Sequence, residues 1–349
     1  MKIAIIAHVE HPIIQPYAGG LEMHTHLLAR CLKRRGHEVT LFASQGSDIA
    51  LEPVCVCAPT GERGHDRERQ EAIHLAEDEI YGSVMRTLAD GRFDIVHNLS
   101  LHDLPLRESG TTEIPWVTGL HVGPFESFRL GVEEAYDGMA FVAVSKSLAQ
   151  GWIDIVPQVQ IIGNGIDLSA FAFNAVAASP PFGFWSGRIV PEKGLHLAID
   201  AARLAGLFLA FAGPRRDPAY WDDEIEPRLG AGILYVGHLD HAGIARRVGQ
   251  ARVAIVTPCW EEPFGLVVAE ALACGTPVAG FRRGAIPEIL GADCGRLADA
   301  DDAEGLAHAI RVAADLDRRT CRAWAEAHFD ANTMAVHYET LYARLLEGL

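Results

Sequence analysis

Short apolar runs alternate with amphipathic stretches along almost the whole chain, the pattern of parallel sheets flanked by helices. In the first half, residues 2–9 read as a strand, Gly19 and Gly20 as a turn, and 21–35 as a helix with Leu27, Leu28, Cys31 and Leu32 on one face and Gly36 at its end. Further strands are predicted over 37–44, 94–97, 115–121, 141–145 and 160–162, with a polar helix over 67–89. Residues 171–181, rich in Ala, Ser and Pro, have the composition of a linker. After them, strands are predicted over 182–186, 207–212, 233–236, 253–257 and 277–280, each followed by a helical stretch. Residues 333–346 place Met334, His337, Tyr338, Leu341, Tyr342 and Leu345 at helical spacing, an amphipathic closing helix. The expectation is two doubly wound α/β domains, 1–168 and 182–328, joined by a linker over 169–181, with 329–349 packing back on the first domain. Two such domains facing each other would bind ligand in a cleft at the carboxyl ends of their strands.

Length and composition agree with this division. At 349 residues the chain exceeds the usual size of a single core, and 49% hydrophobic with 22% charged residues is an ordinary globular balance. The formal net charge of -16 disfavours nucleic acid and anionic membrane as main partners, so an anionic ligand must find local basic residues. Residues 1–7 resemble a first strand more than a signal peptide, no run reaches the length of a membrane span, and the expected location is the cytoplasm. The seven cysteines are odd in number and lie mostly inside apolar patterns, which suits reduced thiols; Cys55 and Cys57 lack a second pair to complete a zinc site.

The candidate chemistry concentrates in two segments of the second half. Glu262 and Glu270 bracket a loop that becomes a helix near Gly265, placing the amides of Phe264, Gly265 and Leu266 at a helix start, where unsatisfied N–H groups favour a phosphate or an electron-rich oxygen. Carboxylates beside such an end cannot serve phosphates but can accept hydrogen bonds from sugar and ribose hydroxyls. The competing interpretation is an acidic loop followed by an ordinary helix. The second segment, Gly187-Arg188-Ile189-Val190-Pro191-Glu192-Lys193-Gly194, follows a strand and offers a planar guanidinium and a compact ammonium for several phosphate oxygens; taken alone, it would read as a solvated loop.

Together these pieces resemble the retaining nucleotide-sugar glycosyltransferases of family 4, which have the two-domain GT-B fold. The resemblance rests on Gly19-Gly20, Asp94-Ile95-Val96-His97, the strand ending at His121, Val144-Ser145-Lys146-Ser147 and Asn164-Gly165-Ile166-Asp167 in the first half. In the second half it rests on Gly187-Arg188 with Lys193-Gly194, Tyr235-Val236-Gly237, and Glu262-Pro263-Phe264-Gly265 with Glu270-Ala271. It implies that Arg188 and Lys193 bind the donor diphosphate and stabilise it as it leaves. Glu262 would contact the donor sugar with the amides of Phe264, Gly265 and Leu266 nearby, and Glu270 would hold the ribose hydroxyls. Gly19 and Gly20 would lie near diphosphate and acceptor, His121 beside the transferred sugar as a hydrogen-bonding partner, and Gly237 with His238 near the base. It further implies retention, a departing phosphate that takes the acceptor's proton, no metal or other cofactor, and UDP as the commoner nucleotide. The acceptor would be a hydroxyl compound, carbohydrate or lipid-linked.

Other signals read more plainly. Asp299-Ala300-Asp301 precedes a helical stretch and is expected to cap it. His24 and His26 with Glu22 suit a helix opening better than a metal site, and Lys33, Arg34 and Arg35 suit a helix end better than a membrane contact. Residues 12–17, 101–113 and 123–131 are candidate acceptor loops. Two rivals to sugar transfer remain: a nucleotide-sugar epimerase on the same architecture, and a binding protein that keeps the pocket without turnover.

Overall fold

In the computed structural model, which describes all residues except 62, 63, 65, 231 and 349, the first apolar run becomes β1 (Lys2–Ala7), buried from Ile3 onward. It lies within a parallel sheet with β2 (Glu38–Ser44), β3 (Val54–Cys57), β4 (Ile95–Leu99), β5 (Trp116–Leu120), β6 (Ala140–Ala143) and β7 (Gln160–Ile161), in the order β3-β2-β1-β4-β5-β6-β7. Ile3 pairs with Val39 on one side and Ile95 on the other. Helices cover both faces, which is why β1 beyond Lys2, β4 and β5 are buried without alternation, His97, Asn98 and Thr118 included. A second parallel sheet contains β8 (Phe182–Ser186), β9 (Phe208–Ala212), β10 (Ile233–Tyr235), β11 (Val253–Val256), β12 (Val278–Phe281) and β13 (Gly295–Ala298), ordered β10-β9-β8-β11-β12-β13. Among the described residues no helix is long and apolar enough to cross a membrane.

The chain divides into two units, Met1–Gly165 with Ala331–Leu349, and Ile166–Asp330. The last helix, Ala331–Leu346, belongs to the first unit, where Tyr338 and Tyr342 are fully buried and Glu339 accepts hydrogen bonds from Arg35 Nε at 2.7 Å and His37 Nε2 at 2.6 Å. Lys33 likewise meets Glu52 at 2.9 Å, so two of the three cations at this helix end have carboxylate partners within the protein.

The predicted linker over 169–181 is not a free connection, because its residues pack on the second unit. Phe171 is buried, Asn174 N–H donates to Cys274 O at 3.0 Å and Ala178 N–H to Gln250 O at 2.8 Å. Arg318 Nε and Arg322 Nη1, on the helix Arg318–His328, donate to the carbonyls of Asn174 and Phe171 at 2.6 and 2.8 Å. Backbone groups without strand partners are thereby satisfied by two guanidinium groups. The candidate acceptor loops 101–113 and 123–131 also differ, since they contain the helices Asp103–Arg107 and Glu126–Glu134. His102 Nδ1 caps the first by accepting from Leu104 N–H at 3.2 Å. Phe128 and Val132 anchor the second one turn apart.

Phe171→Ala should destabilise the second unit by about 3–5 kcal/mol, the usual cost of emptying a buried aromatic site. Urea unfolding of the whole chain measures it, and an unchanged transition would return 169–181 to the status of a loose tether.

Candidate active site

The strand order places a topological switch between β8 and β11, where successive loops diverge and open a crevice at the carboxyl ends. The loops after these two strands are locked to each other. Cys259 N–H donates to Glu192 O at 2.8 Å, Thr257 Oγ1 to Lys193 O at 3.1 Å, and Trp185 Nε1 to Thr257 Oγ1 at 3.1 Å. Gly194 allows this approach. Its φ is +63°, and a Cβ there would sit 2.1 Å from Thr257 O. Gly284 does the same from the loop after β12, since a Cβ would come within 2.3 Å of the Glu262 backbone, whose carbonyl accepts from Ala285 N–H at 2.8 Å.

Inside this scaffold Lys193 Nζ donates to Glu262 Oε2 at 2.7 Å, and Trp260 Nε1 donates to the same oxygen at 2.9 Å. The ammonium also lies 4.8 Å from the centre of the Trp260 ring, so ion pairing and a cation–π contact fix it together. Sequence reasoning missed Trp260, which reads as an ordinary core aromatic. Arg188 stands apart, its guanidinium on the exposed side of the loop 3.8 Å from Glu192 Oε1. Its side chain is held only by a long, solvated pair, which leaves it freer than Lys193 to take another anion.

Gly265 caps the helix Leu266–Ala273 in a left-handed conformation, with no side-chain cap on the helix start, while Phe264 buries its ring against Phe329. The amides at this end are therefore carried by a loop whose aromatic side chain is anchored in the core. Glu270 lies further along the helix, nearly buried, with Oε1 3.9 Å from His241 Nε2. Burial pushes its carboxyl up to about 8, so it is mainly a neutral acid at pH 7. Gly237 and His238 follow β10; Gly237 has open space on its Cβ side and His238 is exposed.

Gly19, Gly20 and His121 belong to the first unit. Gly19 is the uncapped start of the helix Gly20–Arg34, and His121 directly follows β5. The histidine ring is buried against His24, ring centroids 4.4 Å apart. His24 also stands edge-on to Tyr338 at 5.8 Å, His97 lies 4.9 Å from Tyr338, and His97 Nδ1 is 2.6 Å from Tyr342 OH. Burial drives His121 and His97 well below the ordinary imidazole range and His24 down to about 4, so all three are neutral at pH 7. Nε2 of His97, Nε2 of His121 and the Tyr338 hydroxyl are buried without a hydrogen-bond partner, while His24 lies beside Asn164, whose hydrogen bond partly opposes the effect of burial on its ring. At about 1–3 kcal/mol each, three dry polar atoms would remove a large share of a domain's stability of about 5–15 kcal/mol.

Two plainer signals also resolve. The helix Ala303–Ala313 is capped by Asp302, which accepts from Gly305 N–H at 2.9 Å, rather than by Asp299 or Asp301; Asp301 pairs with Arg283 instead. Three residues on from the cap, Gly305 leaves room for the Asp302 carboxylate. Glu22, His24 and His26 face separate partners: Glu22 meets His8 at 3.3 Å, while His26 contacts Asp48 at 2.8 Å and Tyr17 at 3.0 Å. His74 stacks on His102 at 4.4 Å with Asp103 beside them, and the His102 Nδ1 is already committed to the helix cap.

Two doubly wound units, with polar side chains gathered in the loops beyond their strands, have the GT-B architecture. Residues 18–170 match the family model Glycosyltransferase Family 4, and residues 170–329 match Glycosyl transferases group 1. The chain belongs to the family 4 glycosyltransferases. It is 28% identical over 337 aligned positions to phosphatidyl-myo-inositol mannosyltransferase of Mycobacterium leprae, with 85% of each protein covered. It is 26% identical over 413 aligned positions to glycogen synthase of Mycobacterium tuberculosis, covering 100% of this chain and 96% of that one. The crystal structure of Anabaena Alr3699/HepE in complex with UDP-glucose has the same fold, with a TM-score of 0.74 and 20% identity over 100% of both chains.

The raised Glu270 carboxyl sets a pH dependence. A group whose pKa is higher when folded stabilises the fold below its unfolded value and loses that contribution as pH rises through the folded value, here from 4.5 to about 8. Wild type should therefore lose stability across that window relative to Glu270→Gln, which cannot ionise. Urea midpoints of the two proteins at several pH values provide the comparison, and parallel curves would reject the shift.

Proposed function

We propose that this enzyme transfers a sugar from a nucleotide diphosphate sugar, with UDP favoured, to a hydroxyl acceptor, retaining the anomeric configuration and needing no metal. The observation that carries this reading is the Lys193–Glu262 pair at the β8/β11 switch, where a fixed cation and a hydroxyl-accepting carboxylate share one loop crevice. An incoming diphosphate competes with Glu262 for Lys193, and Arg188 swings from Glu192 to meet it. As the bond between the anomeric carbon and the phosphate oxygen breaks, charge builds on that oxygen, and the two cations with the amides of Phe264, Gly265 and Leu266 stabilise it. The acceptor oxygen bonds to the anomeric carbon on the same face, and its proton passes to the departing phosphate. No protein base is required. Glu262, released from Lys193, accepts from sugar hydroxyls, and Glu270 binds the ribose. His121, a neutral imidazole, hydrogen-bonds beside the transferred sugar, with Gly19 and Gly20 giving backbone access to diphosphate and acceptor. Gly237 and His238 border the base.

The relatives support a range of acceptors. One is named for mannosyl transfer to phosphatidyl-myo-inositol and another for glycogen synthesis, so lipid-linked and carbohydrate hydroxyls both fit the reading. The UDP-glucose bound by the Anabaena protein supports a UDP-sugar donor.

A thermal-shift screen with UDP, GDP, ADP and their sugars is the first test: selective stabilisation by one nucleotide is expected, since a ligand of the native state raises the midpoint. No response to any of them would sink the reading. Product analysis with the selected donor, radiolabelled in the sugar, should show label moved to acceptor, not an epimerised or unchanged donor. Arg188→Ala should lower kcat with little loss of nucleoside affinity, because its side chain has only a solvated partner. Lys193→Ala should lower kcat and stability together, as it also strands Glu262. Glu270→Ala should weaken nucleotide binding by about 0.5–1.5 kcal/mol per lost neutral hydrogen bond. EDTA should leave turnover intact; loss of activity restored by a divalent ion would overturn the metal-free account.

A further inference from the structure

His97 and His24 are histidines near His121, with His8 a third, that the transfer chemistry does not use. His97 lies in β4, paired across the sheet with Ile5, and is tied at 2.6 Å to Tyr342 of the last helix. His24 lies on the helix Gly20–Arg34, between the His121 and Tyr338 rings. Gly119 leaves the space into which the His121 ring folds back, since a Cβ there would stand 2.9 Å from its Nε2. In this group Nε2 of His97, Nε2 of His121 and the Tyr338 hydroxyl have no direct partner, whereas His97 Nδ1 is bonded to Tyr342 and His24 meets Asn164. Elsewhere in the same unit His26 has Asp48 and Tyr17, and His102 Nδ1 has the Leu104 amide. Buried polar atoms gathered within one cluster of packed rings and lacking direct bonds are the setting that encloses ordered water.

We propose that His24, His97 and Tyr338 are positioning residues for His121, linked to it by enclosed water that fixes its ring orientation and tautomer. A neutral imidazole presents one N–H donor and one bare acceptor nitrogen, so its tautomer decides whether it donates to a sugar hydroxyl or accepts from it. With Tyr342 bracing His97 and Tyr338 packed on both histidines, the C-terminal helix sets the state of a residue in the site. The consequence for catalysis rests on His121 lying beside the transferred sugar; the positioning itself does not.

Imidazole 15N spectra of the full-length protein, with His121 assigned through His121→Gln, test the proposal. Wild type should show one protonated and one bare ring nitrogen for His121, and a water cross-peak to its N–H. Tyr338→Phe keeps the ring packing and removes one oxygen. It should move both His121 nitrogens toward a tautomeric average and lower kcat about tenfold, with UDP affinity held within about twofold. His97→Gln should act in the same direction. His121 signals superimposable on wild type in both variants would overturn the proposal, and so would a wild-type spectrum already averaged between tautomers. Full transfer activity in His121→Ala would reject the catalytic reading separately, leaving the spectra to decide the positioning.

Discussion

Strands covered on both faces by helices are shut off from water along their length, so a polar group on them must find its partner inside, as His97 on β4 finds Tyr342. In this protein β1, β4, β5 and β11 are buried throughout, beyond a single lysine at the start of β1. Function is therefore confined to the loops at their ends, and strand order decides which loops meet. In the second unit the order reverses at β8 and β11, which makes neighbours of Lys193 and Glu262, 69 residues apart in the chain. Glycines at 194 and 284 let the backbones close on one another, and the rest of the site follows from that closure.

The charges here are graded by their surroundings. Lys193 is held by a carboxylate and an indole, Arg188 is solvated, and Glu270 is so far removed from water that its carboxyl stays protonated at neutral pH. A site of this kind stores one cation in place and keeps another mobile. The histidines of the first unit follow a similar rule, because burial keeps their rings uncharged and confines them to hydrogen bonding.

Sequence patterning revealed the central strands and missed the margins for a consistent reason. β1 and β11 announce themselves as apolar runs, and β4, β5 and β8 as largely apolar ones, whereas β3 is a half-exposed edge of four residues and β13 carries Gly295 and Arg296. The helices Asp103–Arg107 and Glu126–Glu134 hide behind polar starts and a single buried face. Residues 169–181 look like a tether in composition, and nothing in it reveals that Arg318 and Arg322 will satisfy their carbonyls. In the candidate site, Lys193, Glu262 and Glu270 were legible as unusual charges around a helix start. Trp260 was not, because an indole signals packing, and the meeting of His24 with Tyr338 depends on the last helix returning to the first unit.

That return has a bearing on biogenesis. Domains usually fold as they leave the ribosome, the N-terminal one first. Here the first unit lacks Tyr338 and Tyr342, two of its largest buried side chains, until Ala331–Leu346 has been made. The intervening residues, Ile166–Asp330, form a unit whose segments are all available sooner. The nascent protein would thus finish in the middle before it finishes at the front, leaving the place of Tyr338 and Tyr342 beside His97 unfilled until Ala331–Leu346 has been made.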